Sequence, residues 1–186
     1  ISRAQTLQFD WVFEVWLRNV ILLTTLAGGL HLLLWRFAAQ GDDYRYDMRP
    51  MMKGAKVFWF KNQVCDNMFW SFVALHFWTF FECLMWYSYA NGWATMITLS
   101  SHPVWFVLLI VLIPIYAGLY FYAHHRILHM GFMYRLVHSW HHRNINTGPW
   151  SGLAMHPVES FILMTDVLIF LLIPAHPIHI LFLMFH

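Results

Sequence analysis

The sequence predicts an all-α integral membrane protein with about four transmembrane helices and the start of a fifth, its histidines gathered on the cytoplasmic side. Three observations carry that prediction. Hydrophobic residues make up 60% of the 186 residues and charged residues only 11%, against roughly 25% charged in ordinary soluble chains. The apolar residues fall in continuous runs near the length of about 20 residues that crosses a hydrocarbon core. The basic residues lie between some of these runs and not others. Residues 1–186 read as a single membrane-embedded domain.

The first run extends from Val15 to Phe37, with Arg18 near its outer end and His31 near its inner end. The second covers Asn67 to Tyr89. The third covers Val104 to Ala123, with a kink expected at Pro114 because proline removes a backbone donor. The fourth covers Leu153 to Ile173, and a fifth begins at Ile178 after the turn Pro174-Ala175-His176-Pro177. These runs are continuously apolar for far longer than the 9–11 residues of a barrel strand, so helices are expected throughout.

Charge sets the expected orientation. Arg36, Arg45, Arg49, Lys53, Lys56 and Lys61 lie between the first two runs, and Arg126, Arg135 and Arg143 between the third and fourth. The connection from Asn91 to His102 has neither Lys nor Arg. The positive-inside rule then places both basic segments in the cytoplasm, a condition that a bacterial inner membrane and the endoplasmic reticulum both meet. The aromatic and polar stretch Phe58–Trp70 (FWFKNQVCDNMFW) reads as an anchor in the headgroup zone.

Several classes are excluded or disfavoured. A net charge of +2 gives no case for nucleic acid. Cys65 and Cys83 have no paired spacing, so neither a disulfide framework nor a thiolate metal site is expected. The first residues lack the charged-then-apolar order of a secretory leader. The start at Ile1 and the end at His186, inside an apolar run, read as fragment boundaries.

Thirteen histidines are the strongest chemical signal, and five fall in two groups between positions 124 and 142, in the run HHRILHMGFMYRLVHSWHH. His125 and His129 are about 40° apart on a helix, one turn removed. Relative to His138, His141 and His142 fall at about −60° and +40° on a helix, again on one face. The two groups cannot converge on a single straight helix, because nine residues turn the chain through about 900° and aim them apart. A break is therefore expected at Met130-Gly131, with the third span ending near His129 and a second, interfacial helix bearing the remaining histidines. Neutral nitrogen donors suit Fe, Cu, Zn or Ni rather than Mg or Ca.

The ordered set HRILH, HSWHH and MHPVE (Met155 to Glu159) resembles the fatty acid hydroxylase superfamily, which includes sterol desaturases and sterol methyl oxidases. The resemblance extends over about residues 67–186 and is most specific over 121–160. It implies metal ligation by His125, His129, His138, His141 and His142, two iron ions (with zinc as a substitute in a structure), and O2-dependent hydroxylation or desaturation of a lipid such as a sterol or fatty acyl chain. It implies as electron donor a cytochrome b5-like or ferredoxin-like carrier. The family has a further histidine group downstream that this sequence does not reach, so the two metal spheres are expected to be incomplete and the domain truncated before its third box.

Glu159 is assigned to the catalytic set, either holding a ligand imidazole by its other ring nitrogen or favouring a helix start. His156 is kept as a further candidate ligand, behind the five named above. Phe121, Trp140, Trp150 and Met155 are candidates to bound the lipid substrate, with packing as the plainer role. Asp166, deep in the fourth run, and Glu82 and His76, both in the second, lie at membrane depth, and a buried hydrogen-bonded pair is the expected reading. His176 and His179 are read as interfacial, at the outer turn. Two other classes remain: a non-catalytic membrane subunit that retains the fold, and a histidine-rich metal transporter. A transporter would place ligands at mid-membrane, whereas here they gather at one end.

Overall fold

The computed structural model describes residues 2–41, 43 and 47–185. Arg45, counted above among the basic residues, and the terminal Ile1 and His186 lie outside the described residues. Among those described there is no strand, only two isolated bridges, and every regular element is helical.

Three helices are long and apolar enough to cross a membrane: α1 (Phe9–Arg36), α2 (Gln63–Ala90) and α3 (Pro103–Leu128). They coincide with the first three apolar runs and extend each by a few residues. Helix α1 contains two wider π-helical turns, Thr24–Gly28 and Leu32–Arg36. Over their most apolar windows, 56% of α2 is buried but only 11% of α1 and α3. Helix α2 is therefore the central element, and α1 and α3 present most of their apolar surface outward, where lipid is the matching solvent. Each start has a local cause. The Asn62 side chain caps α2 by accepting from the amides of Val64 and Cys65 at 3.0 and 3.2 Å, and Pro103 opens α3 at a position where no amide is needed. Helix α3 runs on through Pro114.

Past α3 the chain turns at Met130 into the short α4 (Gly131–Leu136) and a 3-10 turn, His138–Arg143. The expected fourth span differs from its sequence reading. It consists of α5 (Pro157–Met164) continued by a 3-10 segment, Thr165–Leu171. Prolines bound it on both sides: Pro157 occupies its first turn and Pro174 follows its end. After the bend comes α6 (Pro177–Met184).

Packing ties these shorter pieces to the long helices. Trp78, Phe81 and Met85 of α2, Leu109 and Ile113 of α3, Val167 and Phe170 of the 3-10 segment and Ile180 of α6 form one buried cluster. Several polar groups around it are satisfied across elements, as burial in an apolar medium favours. The hydroxyls of Tyr116 and Tyr120 donate to the carbonyls of Asp166 (3.0 Å) and Ile162 (2.8 Å). At the other end Tyr89 donates to the carbonyl of Ala175 (3.1 Å) and Trp105 to that of Pro174 (2.9 Å). His176 caps α6 by accepting from the Ile178 amide, and His179 bonds the carbonyl of Phe106 at 3.0 Å. These two histidines thus close the bend at the end of the core remote from the other histidines.

The two basic connections lie on one face. Gln63 donates to the carbonyl of Asn146 (2.7 Å), Asn146 to that of Arg49, and Arg143 to that of Val57 (2.7 Å). The loop preceding α2 is therefore packed on the segment following the 3-10 turn.

Glu82 does not pair with His76. Its carboxylate is buried between α1 and α2 and accepts from Arg18, from Asn19 (3.0 Å) and from Trp86 (3.3 Å), while His76 is exposed and bonds its own helix at the carbonyl of Phe72. A buried carboxylate left without its cation is costly, and replacing both partners with apolar groups relieves that cost. Arg18→Met should lower stability by about 3 kcal/mol, and the double variant Arg18→Met/Glu82→Met should recover much of the loss. Unfolding midpoints in detergent would check this; a double variant worse than the single would contradict it.

Candidate metal centre

The last turn of α3 and its cap carry the first two imidazoles. His125 and His129 are one turn apart, with their Nε2 atoms 3.1 Å from each other. The chain then reverses because Met130 is extended (φ −77°, ψ 128°) and Gly131 takes a positive φ of 20°, a conformation open chiefly to glycine. The reversal brings the 3-10 turn back against the end of α3. His138 and His142 on that turn also approach each other, Nε2 to Nε2, at 2.9 Å.

The two pairs face each other. Ring centroids lie 4.4 Å apart for His125 and His138, 4.7 Å for His129 and His138, and 5.0 Å for His129 and His142. One nitrogen from each of His125, His129, His138 and His142 lies within 4.8 Å of all the others. Imidazole nitrogens bound at about 2.0–2.1 Å to one ion stand about 3 Å apart when their bonds meet near a right angle. The close pairs have that spacing, so the donor set fits a nitrogen-ligated ion. Among the described residues these four donors suffice for one such ion rather than two.

His141 stands outside the four. The segment winds as a 3-10 turn, in which residues three apart eclipse one another about 6 Å apart along the axis. The rings of His138 and His141 are accordingly near-parallel, 19° apart in plane and 5.8 Å between centroids. The Nδ1 of His141 is buried and without a hydrogen-bond partner. His124, adjacent to the cluster in sequence, turns inward and bonds the carbonyl of Tyr120 at 3.0 Å.

Glu159 sits behind His138. Its Oε1 accepts from His138 Nδ1 at 2.7 Å, with both groups buried. A proton fixed on Nδ1 leaves the Nε2 lone pair free to face the other imidazoles. Glu159 therefore acts on the site through His138 and is a positioning residue. The His156-Pro157 pair explains how it arrives there: the His156 ring caps α5 by accepting from the Val158 amide at 3.2 Å, and Pro157 starts the helix. The same His-Pro start recurs at His176-Pro177.

Ring neighbours frame the cluster. Phe121 stacks on His125 at 5.0 Å and Tyr134 on His129 at 5.5 Å; Tyr134 was not singled out in the sequence. Of the four proposed substrate-bounding residues only Phe121 lines a cavity of about 660 Å³ among the helices. Trp140 instead packs on His156 and on Trp59 and Trp70, with the Arg143 guanidinium over its ring. Trp150 and Met155 are buried in packing.

Burial, reinforced by the neighbouring imidazoles, pushes His138 down to about 3, and it lowers His141 and His142 as well. These rings stay neutral, the state that binds metal. An unfolded chain protonates them near 6.5, so the metal-free protein binds fewer protons folded than unfolded. Its stability is full above that value and is lost as pH falls through it toward 3. The unfolding midpoint of metal-free protein should therefore drop between pH 7 and pH 4, and His138→Gln should flatten that dependence; an equal slope in both proteins would count against the burial account.

Residues 106–186 match the fatty acid hydroxylase family. A stretch of 58 residues, 31% of this chain, is 33% identical to the Delta(7)-sterol 5(6)-desaturase ERG3B of Gibberella zeae and covers 18% of that protein's length. No solved structure matches.

Proposed function

We propose that this chain, whose residues 106–186 match the fatty acid hydroxylase family, belongs to the fatty acid hydroxylase and sterol desaturase superfamily and is an oxidoreductase that uses O2 and bound iron to hydroxylate or desaturate a membrane lipid. The observation that carries the reading is the convergence of His125, His129, His138 and His142 from two separate pieces of chain. His141 joins this ligand set on family grounds, its buried and unpartnered Nδ1 being the donor left to give. Iron bound there supplies the redox capacity that cleavage of an unactivated C–H bond requires. The ligands of a second ion would come from residues beyond these four.

The protein's own residues have separable tasks. The four imidazoles hold the ion, and Glu159 keeps His138 in the ligating tautomer. Phe121, stacked on His125 and lining the cavity, bounds the path between lipid and ligands. The fourth predicted span and the fifth complete the bundle around that cavity in the membrane. The basic residues beside the cluster support a cytoplasmic location for it, where an acidic electron carrier of the cytochrome b5 or ferredoxin kind would dock. Clustering of the ligands at the end of α3 favours this reading over a transporter, whose ligands belong at mid-membrane.

Metal analysis of purified full-length protein separates the oxygenase from a non-catalytic subunit. Bound iron is expected, with His138→Ala losing it and Glu159→Gln weakening its retention by about 10- to 100-fold. Protein that never retains a transition metal would overturn the proposal, as would clear metal flux in vesicles.

A further inference from the structure

The cavity that Phe121 lines has an uneven composition. Its wall is mostly apolar, with leucine the commonest residue, yet one acidic residue lines it, Asp166. The position is deep. The backbone carbonyl of Asp166 accepts from Tyr116, which lies midway along α3, so Asp166 is at the level of the bilayer centre if α3 crosses it. A carboxylate there is expensive and is kept where it has a partner to meet.

Among the described residues no side chain hydrogen-bonds that carboxylate. The amide of Val167 bonds it, and the Tyr116 and Tyr120 side chains lie near enough to feel its charge. The neighbouring hydroxyls are already used, Tyr116 on the Asp166 carbonyl and Tyr120 on Ile162 and Thr165. Asn19, also in the lining, is committed to Glu82, Thr79 and Arg18. The cavity also meets Trp78, which is 9% exposed and whose indole N–H has no acceptor. A buried donor without an acceptor is uncommon in a folded protein and points to a missing group. The cavity thus offers one open acceptor and one open donor within an apolar wall, a combination that a hydroxyl satisfies in both senses.

We propose that Asp166 and Trp78 select a neutral lipid alcohol, sterol or long-chain, holding its hydroxyl at mid-membrane while its apolar body runs toward the histidine cluster. The inference rests on the oxygenase reading for what happens to that body, and it adds the part of the substrate that is recognised. Tyr116 and His125 are nine residues apart on α3, about 13 Å along the axis. The polar group would therefore be held that far from the reacting carbon, and the helix would act as a ruler. A free fatty acid carries a negative charge and is disfavoured beside Asp166. A hydrocarbon leaves both polar groups unmet.

Equilibrium binding to the metal-stripped full-length protein in detergent tests this with tritiated cholesterol and tritiated hexadecan-1-ol, each competed by its own methyl ether and by palmitate. At least one alcohol should bind about tenfold or more tightly than its ether and than palmitate, and which alcohol does so identifies the source. Asp166→Leu should abolish that preference while leaving binding of the ether intact, a result that loss of structure alone would not produce. If that variant fails to fold, Trp78→Phe should lower the affinity for alcohol and ether alike, since both supply the acceptor. An alcohol bound no better than its ether by the native protein, or a preference unchanged in Asp166→Leu, would overturn the proposal. Because metal is absent from the assay, a protein that shows the preference but never turns over lipid overturns the oxygenase reading alone, and one that turns over lipid without the preference overturns the role of Asp166 alone.

Discussion

The arrangement at the histidine cluster depends on one reversal of the chain. Without the extended Met130 and the positive φ of Gly131, α3 would carry its helical path past His129 and aim His138 and His142 away from His125 and His129. The reversal costs little because glycine adopts that conformation freely. It sets two rigid supports opposite each other: the end of a long helix and a tight 3-10 turn. The imidazoles inherit their positions from backbone, and the Glu159 carboxylate then fixes the remaining freedom of His138. Burial does the rest by keeping the rings neutral.

The same logic orders the surrounding bundle. Helix α2 is central because its two ends are tied to different partners. Gln63 bonds to the segment after the 3-10 turn, and Tyr89 bonds to the bend before α6. Between those ties its aromatic residues fill the core. The polar cluster around Glu82 joins α2 to α1, and Tyr116 and Tyr120 of α3 grip carbonyls of the 3-10 segment after α5 and of α5 itself. Each tie satisfies a polar group that lipid could not satisfy. On the wall of the cavity, the Trp78 indole N–H lacks an acceptor and the Asp166 carboxylate has no side-chain hydrogen bond among the described residues.

Much of this was legible in the residues themselves. The three long helices follow from uninterrupted apolar runs, and the break at Met130-Gly131 followed from the angular conflict between two histidine groups. The winding of residues 138–143 as a 3-10 turn was not legible, because His138, His141 and His142 share one face on an α-helix and nothing in their spacing argues against one. The fourth apolar run looked long enough to be one helix, but apolar composition says nothing of the proline at its start, which delays the helix to Pro157. Glu82 found Arg18 rather than His76 because pairing between helices depends on their rotation about their own axes, which a single sequence with no repeat does not encode. The cavity wall was missed for a related reason, being assembled from distant segments, and Tyr134 because its stacking on His129 depends on the reversal between them.

X-ray absorption at the metal edge of zinc-reconstituted, full-length protein tests the central claim most directly. Four imidazoles meeting at one ion predict a first shell of nitrogen scatterers at about 2.0–2.1 Å with the outer-shell pattern of imidazole rings, and a marked loss of that pattern in His138→Ala. A first shell made of oxygen, or an imidazole pattern indifferent to His138, would contradict it.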